Sequence, residues 1–291
     1  MRNVKPLYLL SPFFIVIGVF FVMPLALIAV YSFLQPGEYG GVEWHFSWDA
    51  YTRLLFERDF DGKLTFNAGY LIIFMRSLML AGTCTILCLL AGFPIAYHMA
   101  TRPERHRGIW VLLITIPFWT NLLVRTYAWM LILRDEGLVN GLLQHVGLIS
   151  QPLPLMYTPF AVGIGLLYSY LPFMVLPLYA TLERFDWRLV EAAQDLYADR
   201  GQTLRRVIIP ISIPGILAGC MLVFIPSIGS FLASDLLGGG KQMMIGNLIQ
   251  MQFGFSRDWP LGSALSVVVM AIVMLGLMLI ARKGEGTGGL V

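Results

Sequence analysis

Long apolar stretches recur along this chain, and they constrain its fold more than any other feature. Six stretches are long enough to cross the hydrocarbon core of a membrane, for which a helix needs about 20 apolar residues. They are Leu7–Phe33, Tyr70–Ala100, Gly108–Leu133, Thr158–Leu182, Ile211–Ala233 and Trp259–Ala281. Charged residues make up 13% of the chain, whereas soluble domains carry about 25%. The pattern predicts an all-α membrane protein with six transmembrane helices.

The distribution of Lys and Arg predicts the orientation of these helices. If the N-terminus is cytoplasmic, twelve Lys and Arg residues fall in cytoplasmic segments and six fall outside. Cytoplasmic loops carry the excess of positive charge, so both termini are expected in the cytoplasm. The first stretch follows Arg2 and Lys5, but it is longer than the apolar region of about 7–15 residues in a signal peptide. We therefore expect an uncleaved first transmembrane helix.

A polar segment, EAAQDLYADRGQTLRRVIIPISIPGI at Glu191–Ile216, separates the fourth and fifth apolar stretches. Its first residues have helical apolar spacing, and Asp186 is expected to cap that helix. Ala192 and Ala193 are small enough to let another backbone approach closely, and Glu191 can pair with a basic partner. An amphipathic connector lying on the membrane surface would show the same spacing, so spacing alone leaves both interpretations open.

The same segment resembles the EAA loop of permease subunits in binding-protein-dependent ABC importers. In that family the loop forms a short coupling helix that docks onto the ATPase, and the resemblance here extends through Pro210, Pro214 and Gly215. It implies an ATPase-docking set, namely Glu191, Ala192, Ala193, Leu196, Tyr197 and Pro210. The family pattern has Gly six residues after the Glu, where this chain has Tyr197. Since Tyr does not adopt a positive φ freely, we expect the turn to form around Gly201 instead.

Three other stretches are similar to permeases of spermidine/putrescine importers. They are IPFWTNLLVRTYAW at Ile116–Trp129, LPFMVLPLY at Leu171–Tyr179, and SDLLGGGKQMMIGNLIQMQF with RDWP at Ser234–Pro260. The similarity runs over nearly the whole chain, most strongly from Tyr70 onward. It implies a type I ABC importer permease fold in a bacterial inner membrane and a polyamine substrate. The implied partners are a second permease subunit, an ATP-binding ABC ATPase dimer and a periplasmic substrate-binding protein.

The resemblance also suggests how the chain is divided. Residues 1–66 are expected to hold the first transmembrane helix and a periplasmic loop, and residues 67–281 the permease domain, with a cytoplasmic coupling loop at 183–214. Residues 282–291 would form a cytoplasmic tail. The segment Gly238–Lys241 resembles half a P-loop but lacks its upstream Gly and its Ser or Thr. ATP hydrolysis is therefore expected from a separate subunit, and this chain is not expected to be an enzyme.

A path for flexible polycations should offer carboxylates, polar groups and aromatic faces. Asp235 is the main candidate, because it follows the fifth apolar stretch one helical turn beyond Phe231, and ionisable groups near a span are functional by default. Alternatively, Asp235 caps a helix or pairs with Lys241, which is a candidate to hold it in a closed state. Leu232 and Gln250 are candidates to complete a constriction.

A second cluster lies inside the third apolar stretch, which Pro117 and Arg125 interrupt, and Pro117 is expected to loosen the helix just before the cluster. Trp119 and Tyr127 are candidates to line the path, although simple helix packing explains them at least as well. Arg125 is expected to face protein or water, because inserting Arg into lipid costs about 2.5–3.5 kcal/mol. A buried cation is a poor ligand for a polyamine, so we assign Arg125 a structural or gating role.

Small residues inside the spans favour packing over chemistry. Gly215 and Gly219 form a small-x-x-x-small pattern that predicts a helix-packing face. Cys84, Cys88 and Cys220 lie in apolar runs without His or acidic neighbours, so they are expected to be small buried hydrophobic residues. The histidines are scattered, and no metal or cofactor is expected.

Other function classes find less support in the sequence. A net charge of +3 is too small to indicate a nucleic-acid partner. An intramembrane hydrolase is disfavoured because G-x-S-x-G and H-E-x-x-H do not occur, and we assign no catalytic residue. Two alternatives stay open: an ABC importer for another solute, such as an amino acid, an opine, iron or an anion, and an ATP-independent secondary transporter.

Overall fold

The structure of the chain is a computed structural model that describes residues 6–58 and 64–285. Its α-helices are α1 (Pro6–Ile17), α2 (Met23–Tyr31), α3 (Asp49–Thr52), α4 (Gly69–Ala100), α5 (Glu104–Trp119), α6 (Leu122–Leu133), α7 (Leu138–His145), α8 (Pro159–Glu183), α9 (Arg188–Asp195), α10 (Arg200–Thr203), α11 (Ile209–Ile228), α12 (Leu232–Gly238), α13 (Ile245–Phe253) and α14 (Trp259–Glu285). Two π-helical turns lie at Gly18–Val22 and Leu204–Ile208. The strands are β1 (Leu34–Pro36), β2 (Val42–Phe46), β3 (Phe56–Arg58) and β4 (Leu64–Phe66).

Within the described residues, five helical segments are long and apolar enough to cross a membrane, or six if one sharply bent pair forms a single span. The five are Pro12–Tyr31, Gly69–Ala100, Pro159–Glu183, Arg200–Ile228 and Trp259–Met278. Helices suit this setting because each satisfies its backbone polar groups internally, where lipid offers no hydrogen-bond partner. The prediction of a helical membrane protein is confirmed. Arg2, Lys5 and the end of the predicted tail, 286–291, lie outside the described residues.

The third predicted span is not a single straight helix but two helices separated by a sharp bend, two residues beyond the interruption expected at Pro117. α5 ends at Trp119, Thr120 is extended with ψ 148°, and the helical segments on either side meet at 87°. Asn121 caps the new helix α6, since its Oδ1 accepts a hydrogen bond from the Leu123 N–H at 2.8 Å. An Asn side chain that binds a helix-start N–H competes with helix continuation. The chain therefore turns sharply here.

The fifth span also differs from its predicted bounds. α10, the second π-helical turn and α11 form one continuous helix, Arg200–Ile228, which begins well before Ile211. It ends before Ala233, because Gly229 and Ser230 interrupt the helix and Ala233 belongs to α12.

Each π-helical turn ends two residues before a proline, Pro24 and Pro210 respectively. Proline has no N–H to donate, and its ring collides with the carbonyl four residues earlier. A locally widened turn lets the helix continue past the ring. Both spans therefore pass through a proline without a break.

The chain forms two compact units, Met1–Ile72 with Leu248–Ile280, and Ile73–Asn247 with Ala281–Val291. In the first, β1 pairs with β2 and β3 with β4, both antiparallel. These strands lie in the predicted periplasmic loop, and the all-α prediction did not include them. Arg53 binds both carboxylate oxygens of Asp258, at 2.7 and 3.3 Å. Asp258 also accepts a hydrogen bond from the Leu261 N–H at 3.1 Å, so one carboxylate ties the loop to the first turn of α14.

The buried core of the second unit comes largely from α8 and α4, and α8 also packs extensively against α11. A Cβ added at Gly215 would lie 2.5 Å from Thr181 Oγ1, and one at Gly219 would lie 2.7 Å from Met174 Sδ. Small residues let the backbones approach this closely, as in other membrane helix pairs. The predicted packing face at these two glycines is confirmed.

The three cysteines were expected to be small buried residues because they lie in apolar stretches. Cys84 and Cys88 are fully buried on one face of α4, with sulfurs 4.0 Å apart. Cys220 is half-buried and free. The prediction of buried small side chains is confirmed for the two residues of α4 and holds in part for Cys220.

Candidate functional site

The candidate docking segment begins with α9, which follows α8 after a short turn. The Asp186 carboxylate accepts a hydrogen bond from the Arg188 N–H at 3.1 Å, as expected of a capping residue, although the residue at the N-cap position is Trp187. Glu191 and Ala192 are exposed and Ala193 is half-buried. The exposed side of α9 thus carries small and acidic groups within reach of another molecule.

The end of α9 overturns one expectation about Tyr197. This residue itself adopts the left-handed conformation, with φ 61°, so the turn does not form around Gly201, which lies inside α10. The Ala198 N–H donates to Ala193 O at 3.0 Å and the Tyr197 N–H to Gln194 O at 2.9 Å, which is the Schellman pattern. These bonds satisfy the last carbonyls of α9 and hold Tyr197 in a conformation that costs about 1–2 kcal/mol for a residue with a Cβ.

A second cap joins the docking segment to the fifth span. Asp199 Oδ1 accepts a hydrogen bond from the Gln202 N–H at 2.7 Å, and Thr203 Oγ1 donates to Asp199 O at 2.9 Å. Pro210 is exposed at the second position of α11. Because α10 continues into α11 without a break, a tight turn connects α9 directly to a helix that is long and apolar enough to span the membrane.

The main candidate for the transport path lies on α12. The Asp235 N–H donates to Phe231 O at 2.8 Å, so the two residues stand one turn apart, and both side chains are exposed. Leu232 is half-buried. Lys241 is exposed, and across residues 6–58 and 64–285 it forms no ion pair with Asp235. The Asp235 carboxylate is therefore available to a cation.

The position of α12 is set by several contacts around it. Gly239 ends the helix with φ +55°, and a Cβ there would lie 2.1 Å from Cδ1 of Tyr157. The Tyr157 N–H donates to Leu237 O at 2.9 Å. Asn247 Nδ2 donates to Phe231 O at 3.0 Å. Gln250, the other predicted constriction residue, is exposed on α13 and belongs to the other compact unit.

The second candidate cluster flanks the break between α5 and α6. Trp119 and Tyr127 are exposed. Arg125 is half-buried, its guanidinium lies 5.9 Å from the centroid of the Phe118 ring, and its buried Nε and Nη1 atoms have no hydrogen-bond partner in the described part of the chain. The quadrupole of the Phe118 ring stabilises this partly desolvated cation. The arrangement is consistent with the structural or gating role assigned to Arg125.

One group of residues was missed by sequence reasoning. A cavity of about 460 Å³ is lined by Met130, Arg134, Asp135, Glu136, Met156 and Tyr157. Its guanidinium, carboxylates, thioethers and phenol come from two segments, 130–136 and 156–157, and Tyr157 has a left-handed backbone with φ 60°. The adjacent acids directly after α6 were a usable signal, because they lie in a loop predicted to be periplasmic.

Comparison with known proteins identifies the family. The family model described as "Binding-protein-dependent transport system inner membrane component" matches residues 89–282. The chain belongs to this family. It is therefore a multi-pass inner-membrane permease, a non-enzymatic component of a transport system that depends on a binding protein. The model's range contains α9 and α12.

Individual members of the family are also similar to the chain. It is 42% identical over 261 residues, 90% of each protein, to "Spermidine/putrescine transport system permease protein PotB" of Escherichia coli (strain K12). It is 44% identical over 212 residues to the protein of the same name from Haemophilus influenzae, covering 72% of this chain and 74% of that protein.

A solved structure supports the permease fold. The chain matches a bacterial ABC transporter involved in the import of the acidic polysaccharide alginate, with a TM-score of 0.67. The match covers 97% of this chain and 96% of that chain at 18% sequence identity. At this identity the likeness shows a shared fold. The predicted ABC importer permease fold is thus confirmed at the level of the chain's architecture.

Proposed function

We propose that this permease conducts polyamines, spermidine or putrescine, into the cell as part of an ATP-driven importer. The observation that carries this proposal is 42% identity across 90% of both chains with a permease named for spermidine and putrescine. The exposed carboxylate and aromatic ring on α12 fit that substrate chemically, because a carboxylate pairs with an ammonium group and a ring face attracts a cation.

The proposed topology has six spans and cytoplasmic termini. It counts α5 with the bent segment that follows as one span and takes the excess of Lys and Arg as cytoplasmic. In this arrangement residues 1–66 contain the first span and a periplasmic loop, residues 67–281 form the permease domain, and residues 282–291 follow as a tail. The coupling loop 183–214, which includes α9, then faces the cytoplasm.

Three partners belong to the proposal. An ATP-binding ABC ATPase dimer docks on α9 through Glu191, Ala192, Ala193, Leu196 and Tyr197, with Pro210 at the start of α11. A second permease subunit completes the path, and a periplasmic binding protein delivers the substrate.

The proposed mechanism uses the continuity between α9 and the fifth span. ATP-driven closure of the ATPase dimer moves α9, and the turn at Tyr197–Asp199 passes the movement into Arg200–Ile228. α11 packs tightly against α8 at Gly215 and Gly219, so the two spans move together. The cavity between the permeases then opens to the opposite side of the membrane.

The proposed path runs past the exposed face of α12. Asp235 pairs with an ammonium group of the substrate and Phe231 presents its ring to the same group. Leu232 narrows the path, Trp119 and Tyr127 line it, and Lys241 competes for Asp235 when the path is empty. Both Asp235 and Lys241 are exposed and free of ion pairs across the described residues, so neither charge is already neutralised by another described side chain.

The substrate is tested by competition uptake in cells that express the complete complex. Radiolabelled spermidine and putrescine should accumulate, and an excess of either unlabelled amine should suppress the signal. Amino acids, an opine and ferric iron serve as competitors of other classes. A complex that accumulates neither labelled amine but takes up one of these other solutes when that solute is labelled would contradict the polyamine assignment and leave the importer architecture standing.

A further inference from the structure

The turn after α9 holds an aromatic residue in a conformation that favours glycine. Tyr197 has φ 61° and closes the Schellman motif with Ala193 and Gln194. Glycine would form the same turn at lower conformational cost, because it has no Cβ. The tyrosine is therefore unexplained by the turn itself.

No contact within the chain accounts for the tyrosine side chain. Tyr197 is 98% exposed and its neighbour Leu196 is 82% exposed. Over the described residues, the Tyr197 hydroxyl makes no hydrogen bond and its ring touches no other ring. Two adjacent large apolar side chains thus project away from the protein, a feature typical of an interaction site.

The charges around this pair indicate the chemistry of the partner. Glu191 and Asp195 stand one turn apart on α9, both are exposed, and neither forms an ion pair with another described residue. Arg188 and Arg200 are also exposed in this segment, but Asp195 directly precedes the apolar pair, and a free carboxylate there disfavours burial in a membrane surface, which is commonly anionic. The two free carboxylates favour a protein surface that offers basic side chains around an apolar cleft.

We propose that Tyr197, together with Leu196, inserts into an apolar cleft of the ATPase subunit rimmed by basic residues, and that Tyr197 determines which ATPase this permease accepts. The inference rests on the proposed docking of α9 and adds to it the residue that selects the partner. The cleft must be deep enough for a phenol ring. An ATPase whose cleft is matched to a glycine turn has no room for that ring, so it is excluded by the steric clash.

The test measures how tightly the purified ATPase subunit binds the permease complex in detergent. Tyr197→Gly removes the ring and relieves the left-handed strain, so weaker binding cannot be attributed to a damaged turn. We expect Tyr197→Gly to weaken ATPase binding by about tenfold or more, as loss of a buried aromatic anchor does. Tyr197→Phe retains the ring and should bind close to the wild-type level. Tyr197→Gly should also bind the ATPase of an unrelated importer better than the wild type does.

A second variant separates this inference from the proposed docking. Ala192→Trp places a large side chain on the exposed face of α9 and should abolish ATPase binding if that helix docks at all. If Ala192→Trp abolishes binding while Tyr197→Gly binds as the wild type does, docking stands and the role of Tyr197 is overturned. If neither variant weakens binding, α9 is not the docking element and both proposals fail.

A labelling experiment tests the membrane surface as the alternative site. A polarity-sensitive dye on Tyr197→Cys, in a background without the native cysteines, should report an aqueous environment in lipid nanodiscs. Addition of the purified ATPase should then shield the dye. A dye that is already shielded in nanodiscs without ATPase would show that the residue lies in lipid and would overturn the inference.

Discussion

At the scale of single residues, α12 depends on one glycine. Gly239 combines φ +55° with a Tyr157 ring so close that a Cβ would lie 2.1 Å from Cδ1. We predict that Gly239→Ala lowers the free energy of unfolding by about 1–3 kcal/mol through backbone strain alone, and more through the clash. Thermal unfolding of the detergent-solubilised complex measures the loss.

The neighbouring glycine supplies the matched control for that substitution. Gly240 also has a positive φ, +74°, but a Cβ there would meet nothing within 4 Å. Gly240→Ala should introduce backbone strain but no steric clash, so it should lower the free energy of unfolding clearly less than Gly239→Ala does. Equal losses at the two positions would mean that Tyr157 does not hold α12 as described.

Replacement of Asp235 tests its proposed role in transport. Asp235→Asn removes the charge but retains the size of the side chain, and a charged hydrogen bond is worth about 1.5–3 kcal/mol. We predict a fall of about 10- to 100-fold in the rate of polyamine uptake per assembled complex. Glu43→Gln, an exposed acid on β2, is the control and should transport normally. Unchanged uptake by Asp235→Asn would remove this residue from the path.

At the scale of elements, we expect larger side chains at the contact between α8 and α11 to destabilise the packing of these two helices. Gly219 lies against Met174 with room for a hydrogen only, and overpacking a tight contact typically costs about 1–3 kcal/mol. We predict that Gly219→Val lowers the melting temperature and the yield of assembled complex. Gly276→Val on α14, where a Cβ would meet nothing within 4 Å, should have little effect. Similar losses for both variants would contradict the packing described.

The apolar stretches could be predicted because they follow from length and hydropathy alone. In the third stretch an interruption was expected at Pro117, but the sharp turn after Trp119 was not, because it depends on a cap by the Asn121 side chain that hydropathy does not show. The end of the fifth span was misplaced for a similar reason, because Gly229 and Ser230 interrupt an apolar run that hydropathy treats as continuous.

The parts of the candidate site that depend on helical spacing could be predicted from the sequence. The parts that depend on the backbone conformation of single residues could not. The position of Asp235 one turn after Phe231 follows from helical spacing, and the structure has that spacing. The turn at Tyr197 was expected elsewhere, because propensity disfavours a left-handed tyrosine and sequence alone does not show the Schellman bonds that hold it. The cavity beside Asp135 and Glu136 depends on tertiary contacts of Tyr157, which no local pattern encodes.

At the scale of the whole molecule, the proposed topology places α9 and the β1–β2 hairpin on opposite sides of the membrane. We predict that a cysteine at Leu196 reacts with an impermeant maleimide only from the cytoplasmic side, and a cysteine at Trp44 only from the periplasmic side. Both positions are exposed, at 82% and 74%. Right-side-out and inverted vesicles that lack the ATPase subunit, prepared from a variant without Cys84, Cys88 and Cys220, provide the measurement. Labelling of both cysteines from one side would reject the six-span arrangement.

The central claim is that this chain is a membrane-spanning permease subunit and that a separate ATPase subunit supplies the energy for transport. Uptake by proteoliposomes measures it most directly, with the binding protein and radiolabelled spermidine on one side and ATP on the side that α9 faces. We predict uptake by the complete complex with ATP, none with ADP, and none by this chain reconstituted without the ATPase. Uptake by the chain alone, without ATP and driven by an ion gradient, would contradict the account.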